Sequence, residues 1–155
     1  MLGIRIQEKL GENGFLTLPL MDLTRKLKAM GHRFYRKRAE YIVGARGLRL
    51  KETIRSFPSE AKAREWLVKN VRGIGYKEAS HFLRNVGYNN VAILDRHVLR
   101  TLNKAGVIER IPQQLSRSNY LSIERKLKEI AREADLTLAE LDLYLWYMAT
   151  GRILK

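Results

Sequence analysis

Apolar residues in this chain recur three and four apart, and the stripes they make stop at glycines. That pattern admits helices and little else. The sharpest instance follows Gly75, where Ala79, Phe82, Leu83 and Val86 fall at i, i+3, i+4 and i+7 before Gly87 ends the run. Leu23, Leu27 and Met30 make a shorter stripe that opens at Asp22 and closes at Gly31. "HRFYRKRAEYIVGARG" reads as a strongly basic helix with Ala39, Ile42 and Val43 on one side. Ser59 is placed to cap a helix that turns Ala63, Trp66 and Leu67 inward. Asp95 can cap another, burying Val98, Leu99 and Leu102 and stopping at Gly106. Tyr120, Ile123, Leu127, Ile130 and Ala134 stripe a long helix, and Thr137 with Glu140 forms a capping box for "LAELDLYLWYMA". Prolines number only 3, and "VAIL", the one strand-like run, lacks a partner. The expected fold is all-α: a single domain over residues 1–155, or two small helical lobes sharing a cleft.

The charge narrows the partner. With 30 Lys and Arg against 16 Asp and Glu, the net charge is +14. Such a field favours a polyanion bound in a salt-sensitive way, nucleic acid ahead of a membrane surface. A basic surface serving solubility alone is the plainer alternative. Cysteine is absent, which excludes disulfides, thiol catalysis, cysteine-bound zinc and a cysteine-ligated iron–sulfur cluster. No apolar run approaches a membrane span, and "MLGIRIQEKLG" lacks the core of a signal peptide. The expectation is an intracellular protein of the cytoplasm or nucleoid with no membrane partner.

"VRGIGYKEASHFLRNVG", residues 71–87, places two glycines around one apolar residue between helices. Gly73 and Gly75 are read as taking backbone angles closed to other residues and letting a nucleic-acid backbone approach. N–H groups at the start of the next helix would then face a phosphate, and Ile74 would anchor the hairpin in the core. An ordinary helix–helix turn fits Gly-x-Gly equally well. Val71 before the hairpin and Ala79 after it make the pattern resemble a helix-hairpin-helix DNA-binding motif.

Lys77 in the first turn after the hairpin and Asp95 at the mouth of a later helix can open onto one cleft. Each has a plain reading, phosphate contact for the lysine and an N-cap for the aspartate. Together they also suit nucleophilic chemistry. A neutral amine attacking a sugar's anomeric carbon yields a Schiff base, and cutting the strand there needs no metal. The positive end of the helix and burial in a cleft would favour the free amine. Asp95 would stabilise positive charge developing on the sugar, or move protons.

"GIGYKEASHFLRNVG", "AILDRHVL" and "DLYLWY" followed by a terminal lysine together resemble the archaeal-type 8-oxoguanine DNA glycosylase/AP lyase family, within the helix-hairpin-helix-GPD superfamily. The likeness runs from about Gly3 to the end. It implies an enzyme that flips an oxidised guanine out of double-stranded DNA, displaces it with Lys77 as nucleophile and Asp95 as catalytic aspartate, and nicks the strand by β-elimination. By the same resemblance Trp146 stacks on the extruded base and Lys155 contacts it. Asp142, one helical turn before Trp146, is read from spacing as a further border of the pocket. "GHRFYRKR" resembles the segment that wedges into the duplex, with Phe34 filling the gap and Arg33 reaching the unpaired base. A core Phe34 beside a generic phosphate-facing run is the other reading. No cofactor is required; hairpins of this kind often hold a monovalent cation between their carbonyls and a phosphate.

Family members carry a further helical segment upstream of the position matching Gly3. The resemblance gives that segment a part in the lobe opposite the hairpin and in the base pocket. Its lack would affect stability and lesion selectivity, and would expose an apolar N-terminal side through which an otherwise monomeric chain could associate. Three alternatives stay open: a non-catalytic DNA-binding module, a glycosylase for another base, and a poorly fitting helix-turn-helix regulator.

Overall fold

In a computed structural model that describes residues 2–151, the chain is all-α, with nine helices and no strand among those residues. It divides into two compact units, Met1–Arg55 with Lys69–Gly73, and Ser56–Val68 with Ile74–Lys155.

The first unit packs α1 (Leu2–Thr17), α2 (Leu20–Ala29) and α3 (Tyr35–Ala45) against one another. Ile6, Leu10, Leu23, Leu27, Met30 and Ala39 form its core, with Ile42 and Val43 packed on the edge. The stripe of α2 is where the spacing puts it, but Asp22 does not open the helix. Pro19 does, because its fixed φ suits the position before the first turn, and Asp22 sits inside that turn pairing with Arg25 at 3.1 Å. The basic helix likewise begins at Tyr35, later than its composition suggests. A six-residue α4 (Leu50–Arg55) has one buried residue, Ile54, and hence no stripe to betray it.

The second unit carries most of α5 (Glu60–Asn70) together with α6 (Tyr76–Asn85), α7 (Arg96–Lys104), α8 (Arg117–Glu133) and α9 (Leu138–Thr150). Leu94, Val98, Leu99 and Leu102 meet Tyr120, Ile123 and Leu127 in its core. Local signals hold here. Ser59 lies 3.4 Å from the Lys62 N–H, Thr137 and Glu140 close their capping box, and Gly87 ends α6 at φ 97°. On α8 the inward stripe ends at Ala131, and Ala134 is instead the exposed cap residue. Val91–Leu94 is irregular rather than a strand; Val91, Ala92 and Leu94 are buried, and side chains satisfy N–H groups of Ala92 and Leu94.

Candidate active site

The hairpin distinguishes its two glycines. Gly73 has φ +82°, and a Cβ added there would run into the Tyr41 ring, over which the Arg72 guanidinium also lies at 5.6 Å. Only glycine fits that position without strain. Gly75 is the N-cap of α6 with φ −97° and ψ −174°, extended backbone that any residue adopts, so the expectation of a special angle fails there. Ile74 is half-buried.

Glu78, unremarked in the sequence, organises the start of α6. Burial pushes its carboxyl up, but the N–H groups of Glu78 and Gly75 and the Lys77 ammonium more than offset that and hold it below the usual carboxylate range. This is half of a capping box, a Glu at N3 reaching back to the N-cap, and Gly-x-x-Glu was its available signal. Amides read as phosphate donors therefore face a carboxylate in the free chain. Lys77 pairs with Glu78 at 3.3 Å and its side chain is 47 % exposed. The burial expected of that lysine is thus absent: the first turn of α6 projects it outward.

Lys77 and Asp95 nevertheless line one cavity, of about 1080 Å³, lined wholly by residues of the second unit. Asp95 is the N-cap of α7 and accepts the Val98 N–H at 2.8 Å. The cap bond fixes a carboxylate that also borders the cavity. Asp142 and Trp146 project into the same space from α9, one turn apart. Burial raises the Asp142 carboxyl above its usual range; Arg84 at 3.4 Å opposes this, the charge of Asp95 adds to it, and His81 opposes it. Arg84 is braced in turn by donating to the Ala139 carbonyl at 3.1 Å. Trp146 meets His97 edge-on at 5.5 Å, and its buried indole N–H has no partner among the described residues.

His81, Arg84 and Tyr147 also line the cavity and were not singled out from sequence. His81 stands one turn beyond Lys77 on α6, so i, i+4 spacing from the lysine could have found it. Phe34 and Arg33 belong to the first unit and are not among the cavity's residues. Phe34 is 56 % exposed, which rules out the core reading, and the Arg33 guanidinium stacks on its ring at 4.4 Å. Lys155 lies outside the described residues. Among those residues no three His, Cys, Asp or Glu side chains gather as metal ligands. No helix of the described residues is long and apolar enough to cross a membrane.

The chain has relatives among known proteins. The model of the family described as 8-oxoguanine DNA glycosylase matches residues 1–136. An 8-oxoguanine DNA glycosylase/AP lyase of Methanocaldococcus jannaschii is 60% identical over 154 residues, covering 99% of this chain and 74% of that protein. One from Korarchaeum cryptofilum is 56% identical over 155 residues, with the same coverage of 99% and 74%. The crystal structure of the M. jannaschii 8-oxoguanine glycosylase/lyase in complex with 15mer DNA containing 8-oxoguanine superposes with TM-score 0.92 at 59% identity, covering 99% of this chain and 74% of that one. The 8-oxoguanine DNA glycosylase of Thermotoga maritima gives TM-score 0.87 at 45% identity, again over 99% and 74%. By the family model, by sequence identity and by fold, the chain belongs to the archaeal-type 8-oxoguanine DNA glycosylase/AP lyase family of the helix-hairpin-helix-GPD superfamily.

Proposed function

We infer that the chain is a bifunctional DNA repair enzyme that removes 8-oxoguanine from double-stranded DNA and nicks the strand at the abasic site. The observation that carries this is the shared cavity of Lys77 and Asp95, bordered by Trp146 and Asp142. The cavity is large enough for one extruded nucleotide, and it offers an aromatic face, a nucleophile and a carboxylate together.

On this reading the Lys77 amine, once it has given up a proton and parted from Glu78, attacks the anomeric carbon as the bond to the base breaks. The base leaves with the bonding pair and takes up a proton. Positive charge develops on the sugar in that step, and the fixed Asp95 carboxylate lowers its energy. The ring then opens to a Schiff base on Lys77. Loss of the proton from C2′ expels the 3′ phosphate, which nicks the strand, and water releases the lysine. Trp146 offers a stacking surface for the base, and Phe34 with Arg33 an exposed wedge. The net charge of +14 supplies a general attraction to the duplex. The reading places the protein inside the cell with the chromosome.

Borohydride trapping on a duplex containing 8-oxoguanine tests it. The natural chain is expected to give a covalent adduct, and Lys77→Gln none, while duplex binding survives. Adduct formation by that variant would remove Lys77 from the reaction. Running a preformed abasic site in parallel separates base excision from strand cleavage.

A further inference from the structure

Arg64 and Glu124 are 0 % and 3 % exposed, a charged pair in the core of the second unit. Arg64 Nη1 and Nη2 donate to the two carboxylate oxygens at 2.5 and 2.6 Å. A buried pair of this kind is commonly no more stabilising than apolar residues of the same volume, so stability alone is a weak reason for it. Its remaining partners supply another. Arg64 Nη1 also donates to Ser80 Oγ at 3.2 Å, and Glu124 Oε1 accepts the Ala92 N–H at 2.9 Å. The Tyr120 hydroxyl donates to the Ala92 carbonyl at 2.6 Å, accepts the Leu94 N–H at 3.3 Å, and meets the Ser80 hydroxyl at 3.3 Å.

These bonds converge on the segment that delivers Asp95. Residues 92–94 are irregular, with Ala92 and Leu94 buried, so the Ala92 N–H and carbonyl and the Leu94 N–H have no helix or sheet partner and are met by side chains. Tyr120 and Glu124 of α8 provide that, and Arg64 of α5 orients Glu124. Ser80 ties the same cluster to α6, three residues beyond Lys77. One hydrogen-bonded unit therefore grips both the helix that carries the amine and the segment that ends in the carboxylate.

We propose that Tyr120, Ser80, Arg64 and Glu124 form a positioning cluster that sets Asp95 against Lys77, so that the cluster governs the rate of Schiff-base formation. None of the four lines the cavity, so they act through the two residues that do. The proposal rests on the lyase reading given above.

Tyr120→Phe keeps the ring and its packing on Tyr76 at 5.4 Å but leaves the Ala92 carbonyl and Leu94 N–H without their partner. Misplacing a reacting group by about 1 Å can cost on the order of 100-fold, so a rate loss of about tenfold or more is expected for this variant on a preformed abasic site at saturating DNA, with affinity within about twofold. Ser80→Ala, which removes a single oxygen, is expected to move the rate the same way by less, and it carries the test should Tyr120→Phe fail to fold. Ile108→Ala, a truncation of the same core just beyond the far end of α7, controls for lost stability and is expected to react at nearly the natural rate. In an Asp95→Asn background Tyr120→Phe should cost little more, since the carboxylate it places is gone.

Natural rates in both Tyr120→Phe and Ser80→Ala would overturn the proposal. So would a slowing matched by Ile108→Ala, or one undiminished in the Asp95→Asn background. Failure of the natural chain itself to trap on the abasic site is a separate result, and it would remove the enzymatic reading.

Discussion

Asp95 holds the Val98 N–H at 2.8 Å while facing the cavity that Lys77 also lines. One carboxylate thus caps the start of α7 and borders the cavity. Asparagine caps a helix about as well as aspartate, whereas alanine loses about 1 kcal/mol. Asp95→Asn should therefore leave the thermal midpoint nearly unchanged and lower single-turnover nicking by about 100-fold or more, if charge stabilisation is what the carboxylate supplies. Asp95→Ala should lose both. Equal falls in binding and turnover for Asp95→Asn would reduce the residue to a cap.

Trp146 borders the cavity edge-on to His97 with its indole N–H unpaired among the described residues. Base–aromatic stacking contributes about 1–3 kcal/mol, so Trp146→Ala should slow excision of 8-oxoguanine by roughly 10- to 100-fold. Cleavage at a preformed abasic site, which has no base to stack, should change far less. Parallel time courses on the two substrates make the comparison, and equal slowing would mean that Trp146 supports the fold and not the base.

The hairpin glycines should separate in a denaturation experiment. Gly73→Ala forces a Cβ into a positive-φ position against the Tyr41 ring, and a loss of about 1–3 kcal/mol is expected. Gly75→Ala meets only the flexible end of Glu78, at 3.2 Å, with an ordinary backbone, and should cost about 0.5 kcal/mol or less. Denaturant midpoints read the difference directly.

The Asp142 carboxyl is raised chiefly by burial, which Arg84 only partly counters and the charge of Asp95 reinforces. An acid raised in the folded state binds its proton more tightly there than in the unfolded chain. Its cost to stability is absent below the ordinary carboxylate range and grows as pH rises through that range toward the folded value. Asp142→Asn removes the cost and leaves Arg84 its bond to the Ala139 carbonyl. The variant should melt above the natural chain at neutral pH, and the gap should close in acid. A gap of the opposite sign would show that the Arg84 pair outweighs the burial.

Helix positions, most caps and the apolar stripes were legible because each depends on residues within a turn or two of one another. The Thr137–Glu140 box, the Asp95 cap and the run from Ala79 to Leu83 are of that kind. Lys77, Asp95, Asp142 and Trp146 could be chosen as candidates by spacing and by resemblance. Their meeting on one cavity depends on how α6, α7 and α9 are arranged in space, which no local pattern specifies. The exposure of Lys77, the grip of Glu78 on the start of α6, and the burial of Arg64 with Glu124 also lay outside sequence reasoning. A charge in a helical stripe looks like a solvated face until its neighbours in space are known. Only the folded chain, by removing water from one arginine and one glutamate 60 residues apart, makes their pairing necessary.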